Sequence, residues 1–109
     1  MKLLGHLDER RRVLRELQTI PSIGPSLAQD LYALGIRRVA DLKGKNPATL
    51  YRRLEQLTHS PQDRCVLYTF RCAVYYAKTA QPDPHRLRWW NWKDQAKPPR
   101  RKAADIKSP

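Results

Sequence analysis

Ile20-Pro21-Ser22-Ile23-Gly24-Pro25-Ser26-Leu27-Ala28 is the most informative segment of this sequence. It predicts a tight turn that leads directly into a helix. Gly24 supplies a backbone able to take a positive φ or to approach another group closely. Pro25 has a preset φ and no N–H, which suits the first helical position. Apolar residues then recur on one face at helical spacing: Leu27, Ala28, Leu31 and Leu34. Gly35 follows as a left-handed helix end.

The start of this helix is expected to present backbone amides without partners. Those of Ser26, Leu27 and Ala28 lie in the first turn, at the positive end of the helix dipole. Such an arrangement is a binding site for a phosphate group. The chain carries 22 Lys and Arg against 10 Asp and Glu, a net charge of +12, so the phosphate is expected to be that of a nucleic acid. The alternative is a plain turn and cap between two packed helices.

The same stretch resembles a helix-hairpin-helix motif, which runs apolar–Pro–Gly–apolar–Gly–Pro into a helix rich in small residues. The matching positions are Ile20, Pro21, Ile23, Gly24, Pro25 and Ala28. Residues 34–42 are similar to the segment that follows this motif in DNA repair proteins and polymerases. Ser22 departs from the pattern, because it stands where the first glycine usually lies.

The resemblance implies a DNA-binding turn. Its hairpin residues would be Ser22, Ile23, Gly24, Pro25, Ser26 and Leu27. The amides that meet phosphate oxygens would be those of Ser22, Gly24, Ser26 and Leu27. In related polymerase and ligase hairpins, backbone carbonyls also hold a monovalent cation, K⁺ or Na⁺, that meets a DNA phosphate. By motif position those carbonyls belong to Gln18, Ile20 and Ile23. Relatives of this motif also serve as protein-binding modules.

Four basic residues flank the short connector that follows the second helix: Arg37, Arg38, Lys43 and Lys45. We expect at least one of them to contact a DNA phosphate, although exposed charges around a loop are usual on any protein. The connector itself, residues 39–42, is predicted to be a short helix.

The remaining pattern predicts a compact all-α domain of five helices. The first spans residues 3–19, and Asn46-Pro47 begins the fourth as N-cap and first helical residue. Ser60-Pro61 gives the last helix the same kind of start. That helix ends near Lys78. Because it is apolar nearly all round, it should lie at the centre of the domain. The layout is that of a tandem helix-hairpin-helix (SAM-like) domain. Its second hairpin, residues 57–61, is degenerate because it lacks glycines.

The chain divides by composition into three parts. Residues 1–78 form the helical domain, residues 79–95 a Pro/Trp-rich extension packed partly on it, and residues 96–109 a disordered basic tail. The extension carries Trp89, Trp90 and Trp92 among basic residues. These rings could stack on unpaired bases or dock a partner. They could instead fold back over the bundle, the interpretation that we favour, with at least one ring left partly exposed.

Other function classes lack support in the sequence. Carboxylates are scattered over caps and exposed faces, so no catalytic constellation is expected and we predict no enzyme activity. Cys65 and Cys72 lie seven apart on one predicted helix, too far for a disulfide. No apolar run could span a bilayer and no signal peptide is present, so we expect a cytoplasmic protein without a membrane partner. We make no prediction of its oligomeric state.

Most of the chain to about residue 94 resembles a small bacterial family. The resemblance rests on residues 20–54, 61–68 and 70–77 and on Trp89-Trp90-Asn91-Trp92-Lys93-Asp94. The family is that of helix-hairpin-helix proteins called pathogenicity-locus or mitomycin-resistance proteins. It implies a bacterial cytosolic protein and hints at DNA damage or repair. The leading hypothesis is a non-catalytic, largely sequence-independent DNA-binding module. The alternative is a protein-interaction module that docks a partner through the Trp-rich extension or a helical groove.

Overall fold

A computed structural model describes residues 2–94, with side chains from Asp8 onward. The α-helices in this part of the chain are α1 (Lys2–Leu17), α2 (Pro25–Ala33), α3 (Pro47–Thr58) and α4 (Arg64–Lys78). Three short 3₁₀ helices accompany them: the connector (Val39–Leu42), Pro84–Leu87 and Trp89–Trp92. The last two lie in the extension, which is described as far as Asp94. Gln95 and the predicted tail 96–109 lie outside the described residues.

The all-α prediction is confirmed, whereas the count of five helices is wrong. Residues 2–94 contain four α-helices and no strand. The predicted fifth helix, the connector, is a single 3₁₀ turn. The Asp41 carboxylate accepts the amides of Arg37 and Arg38 at 3.0 and 3.1 Å, which caps the start of this turn. Gly44 follows with φ 76°, a left-handed conformation that ends it. The amides of Asp41 and Lys43 bond to the carbonyls of Arg38 and Ala40, three residues earlier, which is the 3₁₀ pattern.

Two helix starts and one helix end form as the sequence predicts. Pro25 is the first residue of α2. The Asn46 side chain accepts the amide of Ala48 at 2.9 Å and caps α3. After α2, Gly35 takes φ 95°, and the amides of Gly35 and Ile36 bond back to the last turn. This is the Schellman arrangement, which satisfies carbonyls that a helix end leaves open.

The predicted start of the last helix at Ser60 is wrong. α4 begins at Arg64. The Glu55 carboxylate accepts the amide of Gln62 at 3.0 Å, and the Tyr51 hydroxyl donates to the carbonyl of the same residue. Because α3 holds both main-chain groups of Gln62, residues 60–62 stay outside the helix.

α4 lies at the centre of the molecule. It contacts α3, the connector and both 3₁₀ helices of the extension, while α1 packs against α2. The largest fully buried side chains come from all four helices, the α1–α2 turn and the connector: Leu17, Ile20, Leu31, Leu42, Leu50, Leu54, Phe70 and Cys72. No helix within residues 2–94 has both the length and the apolar character needed to cross a membrane.

Candidate functional site

Two buried isoleucines anchor the turn between α1 and α2. The side chains of Ile20 and Ile23 are 1% and 5% exposed, and the Ile23 amide donates to the Ile20 carbonyl over 3.1 Å. Between them, Ser22 takes φ 80°. Of the two roles considered for Gly24, a positive φ or a close approach of its backbone to another group, the positive φ falls on Ser22 instead. Gly24 is the extended N-cap of α2 with φ −92°, because the chain has already reversed at Ser22.

Four backbone amides of this turn and of the first turn of α2 have no acceptor within residues 2–94. They belong to Ser22, Gly24, Ser26 and Leu27. The Ala28 amide is not among them, since it donates to the Gly24 carbonyl at 2.9 Å. Ser22, Gly24 and Ser26 are exposed, and no side chain caps the helix start. Together with the helix dipole, these amides form a positive surface that can bind an anion.

The other two residues of the predicted hairpin set contribute shape rather than donors. The Ile23 amide is already bonded within the turn, and Pro25 has no amide to offer. Space in front of the turn is open at Gly24, where an added Cβ would meet nothing within 4 Å. Because its φ of −92° suits any residue, a side chain placed there would enter this space without straining the backbone.

One of the three carbonyls of the predicted cation site already accepts a hydrogen bond within the protein. Of the carbonyls of Gln18, Ile20 and Ile23, that of Ile20 accepts the Ile23 amide. A carbonyl oxygen keeps a second lone pair, so this bond does not prevent coordination of K⁺ or Na⁺. The role of these carbonyls stays a prediction.

The turn is joined to the extension. The Ser22 hydroxyl donates to the Leu87 carbonyl at 3.2 Å, and the Cys72 thiol of α4 lies 3.5 Å from the Arg86 carbonyl. Burial raises the pKa of the Cys72 thiol. Sequence reasoning missed the link between Ser22 and Leu87, since nothing in the local pattern of either residue signals a contact 65 positions apart.

Arg37 and Arg38 are committed to neighbours in the protein. The Arg37 guanidinium lies 3.8 Å from the centre of the Tyr32 ring and donates to the Tyr32 carbonyl at 2.7 Å. Tyr32 is in the last turn of α2, so Arg37 lies at the opposite end of that helix from Pro25, about 13 Å away. Arg38 pairs with Asp41 at 3.7 Å. The structure therefore does not bring Arg37 to the turn.

Lys43 and Lys45 are exposed and follow the C-terminal end of the connector. Neither side chain has a hydrogen-bond or ion-pair partner within residues 2–94. The pKa of Asp41 is lowered, first by the Arg37 amide, with further contributions from Arg38 and Lys45. Of the four predicted basic residues, these two lysines are the ones whose charge is most available to a polyanion.

An ionic clasp holds the end of the extension on α4. The Asp94 carboxylate pairs with Arg64, meets Arg71 at 2.9 Å and accepts the Tyr68 hydroxyl at 3.3 Å. Arg71 also donates to the Trp92 carbonyl at 2.7 Å. Hydrogen bonds from Arg64 and Arg71 lower the pKa of Asp94. The arginines of α4 therefore fasten the extension, a role that sequence spacing did not indicate.

The three tryptophans have different environments. The Trp92 ring packs 5.4 Å from Tyr75, and its indole N–H donates to the Arg86 carbonyl at 2.6 Å. Trp89 is half-buried and meets Trp90 edge to face at 5.8 Å. Trp90 is 49% exposed. Two of the three rings are therefore partly buried, whereas Trp90 is open to solvent.

Within the described part of the chain, no three His, Cys, Asp or Glu side chains lie close enough to hold a metal ion. Both cysteines are free thiols, and Cys72 is buried.

Comparisons with known proteins identify the family. The chain is 29% identical over 82 residues to a mitomycin resistance protein, McrB, of Streptomyces lavendulae, an alignment that covers 75% of this chain and 74% of that protein. No solved structure matches the chain. The family model Cdd1, described as pathogenicity locus, matches residues 10–98. The chain therefore belongs to the Cdd1 pathogenicity-locus family.

Proposed function

We propose that this protein is a non-catalytic, largely sequence-independent DNA-binding module whose α1–α2 turn holds one backbone phosphate as a helix-hairpin-helix motif does. One observation carries the proposal: the amides of Ser22, Gly24, Ser26 and Leu27 lack acceptors within residues 2–94, at the start of α2, in a chain of net charge +12. Anions bind favourably at such a helix start, and phosphate is the anion that a strongly basic chain meets along DNA.

The paired arrangement of the helices supports the motif. α1 with α2 and α3 with α4 are each joined by a turn that contains one non-glycine residue of positive φ. These residues are Ser22 at 80° and His59 at 54°. The layout agrees with a tandem helix-hairpin-helix domain of which only the first turn keeps a glycine.

The α3–α4 turn is a poor phosphate site, which favours the first turn for the proposed contact. Its Gln62 amide is already bonded to the Glu55 carboxylate at 3.0 Å. A carboxylate beside a turn repels a phosphate, so this turn offers neither a free donor at Gln62 nor a favourable field.

The distribution of charge supplies the long-range part of the proposed binding. Lys43 and Lys45 are exposed, and Arg37 and Arg38 add positive charge near the connector. We expect a non-specific Kd of about 10⁻⁴ to 10⁻⁶ M at physiological salt that rises steeply with salt concentration. DNA cleavage by pure protein with Mg²⁺ or Mn²⁺ would contradict the non-catalytic part of this proposal.

Matched serine substitutions in the two turns test the phosphate contact. Ser26→Glu places a negative charge at the amides, whereas Ser60→Glu makes the same change beside Pro61 in the other turn. Hydrogen bonds to a charged group contribute about 1.5–3 kcal/mol, so Ser26→Glu should weaken duplex binding about tenfold or more. Ser60→Glu should stay within about twofold of wild type. Equal effects of both variants would assign binding to general charge instead of the turn.

A second candidate is a protein-interaction module, favoured by exposed hydrophobic residues. Leu57 is 52% exposed beside a cavity of about 250 Å³ between α2 and α3, and Trp90 is 49% exposed in the extension. This candidate predicts that a Trp89→Ala, Trp90→Ala double variant loses a protein partner from nuclease-treated lysate while its DNA affinity is unchanged.

A further inference from the structure

Trp90 is the open aromatic surface of the extension. It is 49% exposed, whereas Trp92 packs on Tyr75 and Trp89 is half-buried. Among the three tryptophans, Trp90 is therefore the ring most accessible to a ligand, and a large amphipathic ring can pack against an aromatic partner. The residues around Trp90 indicate which class of ligand this ring suits.

The backbone that presents Trp90 is fixed on both sides. Before it, the Leu87 carbonyl accepts the Ser22 hydroxyl at 3.2 Å. After it, the Trp92 carbonyl accepts Arg71 at 2.7 Å and Asp94 is clasped by the α4 arginines. Because this backbone is already ordered, it loses little conformational freedom when a ligand packs against Trp90, which favours binding.

The charge around Trp90 suits a polyanion. Arg88 is exposed and its guanidinium lies 6.0 Å from the Trp90 ring, and Lys93 is exposed as well. The Asp94 carboxylate is compensated by Arg64 and Arg71. Arginine beside an open aromatic ring is the combination that holds a phosphate while a base stacks on the ring.

The ring also lies near the proposed phosphate site. Leu87 touches Ser22, and Trp90 is three residues further along, so at most about 11 Å of chain separates the Leu87 and Trp90 backbones. At the 3.4 Å rise of a stacked strand, about three nucleotides span that distance. One strand could therefore reach both surfaces.

We propose that Trp90 and Arg88 form a base-stacking site for an unpaired nucleotide, continuous with the α1–α2 turn, and that the preferred ligand is DNA with a single-stranded segment. This inference rests on the proposed function, because the turn supplies the neighbouring phosphate contact. A base inside a duplex is stacked on both faces and cannot use the ring, so duplex DNA engages the turn alone.

The test compares oligothymidylate with a duplex of equal length in fluorescence anisotropy, using the full chain. Trp90→Ala should weaken single-strand binding about 5- to 150-fold and leave duplex binding within about twofold. Leu57→Ala, which removes the other large exposed hydrophobic residue, is the control and should change neither. Oligothymidylate should also quench tryptophan emission in wild type, and Trp90→Ala should remove most of that quenching.

Ser26→Glu separates this inference from the proposed function. If Ser26→Glu weakens binding of both DNAs and Trp90→Ala weakens neither, the turn proposal stands and the stacking site is wrong. If only Trp90→Ala acts, and on single strands alone, the stacking site stands and the turn proposal fails. Equal loss of single-strand and duplex binding in Trp90→Ala, or loss of a protein partner without any change in DNA binding, contradicts base stacking.

Discussion

The Ser22 hydroxyl donates a hydrogen bond of 3.2 Å to the Leu87 carbonyl, 65 positions away, and so joins the α1–α2 turn to the Trp-rich extension. Ser22 is also one of two non-glycine residues of positive φ in the described chain. A serine at this position therefore combines an unfavourable backbone conformation with a contact that a glycine could not make.

Substitutions at Ser22 separate these two effects. Ser22→Ala loses the hydrogen bond and keeps the unfavourable φ, so it should destabilise the fold by about 0.5–1.5 kcal/mol. Ser22→Gly loses the same bond but relieves a left-handed cost of about 1–2 kcal/mol, and should stay within about 0.5 kcal/mol of wild type. Urea denaturation measures both. An alanine variant as stable as the glycine variant would show that φ carries no cost here.

The clasp at Asp94 makes docking of the extension dependent on pH. Its pKa lies below the ordinary 3.8 because Arg64 and Arg71 stabilise the carboxylate. A lowered pKa contributes stability that is fully present above the unfolded value and is lost as pH falls through the folded value. We therefore expect the clasp to hold at neutral pH and to release progressively as pH falls below 3.8 through the folded pKa, which weakens docking of the extension.

Tryptophan emission reports this release, since Trp92 packs against Tyr75 in the docked extension. Asp94→Asn should show a partly released spectrum at neutral pH and little further change on acidification. Asp8→Asn, the same change on α1, should titrate as wild type does. Identical acid titrations of wild type and Asp94→Asn would contradict the role of the clasp.

The basic residues around the connector should contribute unequally to DNA binding. Lys43→Gln with Lys45→Gln should reduce the slope of log Kd against log salt by about 1 to 2, since both side chains are exposed. Arg37→Gln should reduce that slope by less than the lysine pair does and destabilise the fold by about 0.5–1 kcal/mol, because its guanidinium lies on Tyr32. A larger change in slope from Arg37→Gln than from the lysine pair would reverse this assignment.

Local signals predicted the helix ends well. Pro25 and Asn46 begin their helices and Gly35 ends α2 as expected, because caps and turn residues act over a few neighbouring positions. The predicted helix start at Ser60 was wrong because of residues more than one helical turn away. Tyr51 and Glu55 of α3 bond to the main chain of Gln62, so α4 begins only at Arg64.

Local sequence patterns did not predict the long-range contacts of the candidate site. The sequence singled out the turn and its amides but did not indicate the positive φ of Ser22, since glycine is the default residue for that conformation. The clasp joins Asp94 to arginines 23 and 30 positions earlier, and a charge on a helix face does not reveal its partner. Composition indicated an interacting surface without indicating which charges are already paired.

The most direct test of the central claim is fluorescence anisotropy of labelled duplex DNA over a salt series, for wild type and a Gly24→Val, Ser26→Glu variant. An added Cβ at position 24 meets no neighbour within 4 Å, so the variant should keep the wild-type circular dichroism spectrum. If the turn holds a phosphate, wild type should bind with a Kd near the micromolar range that rises steeply with salt, and the folded variant should lose binding. Equal binding by both proteins, or a Kd that does not change with salt, would contradict the central claim.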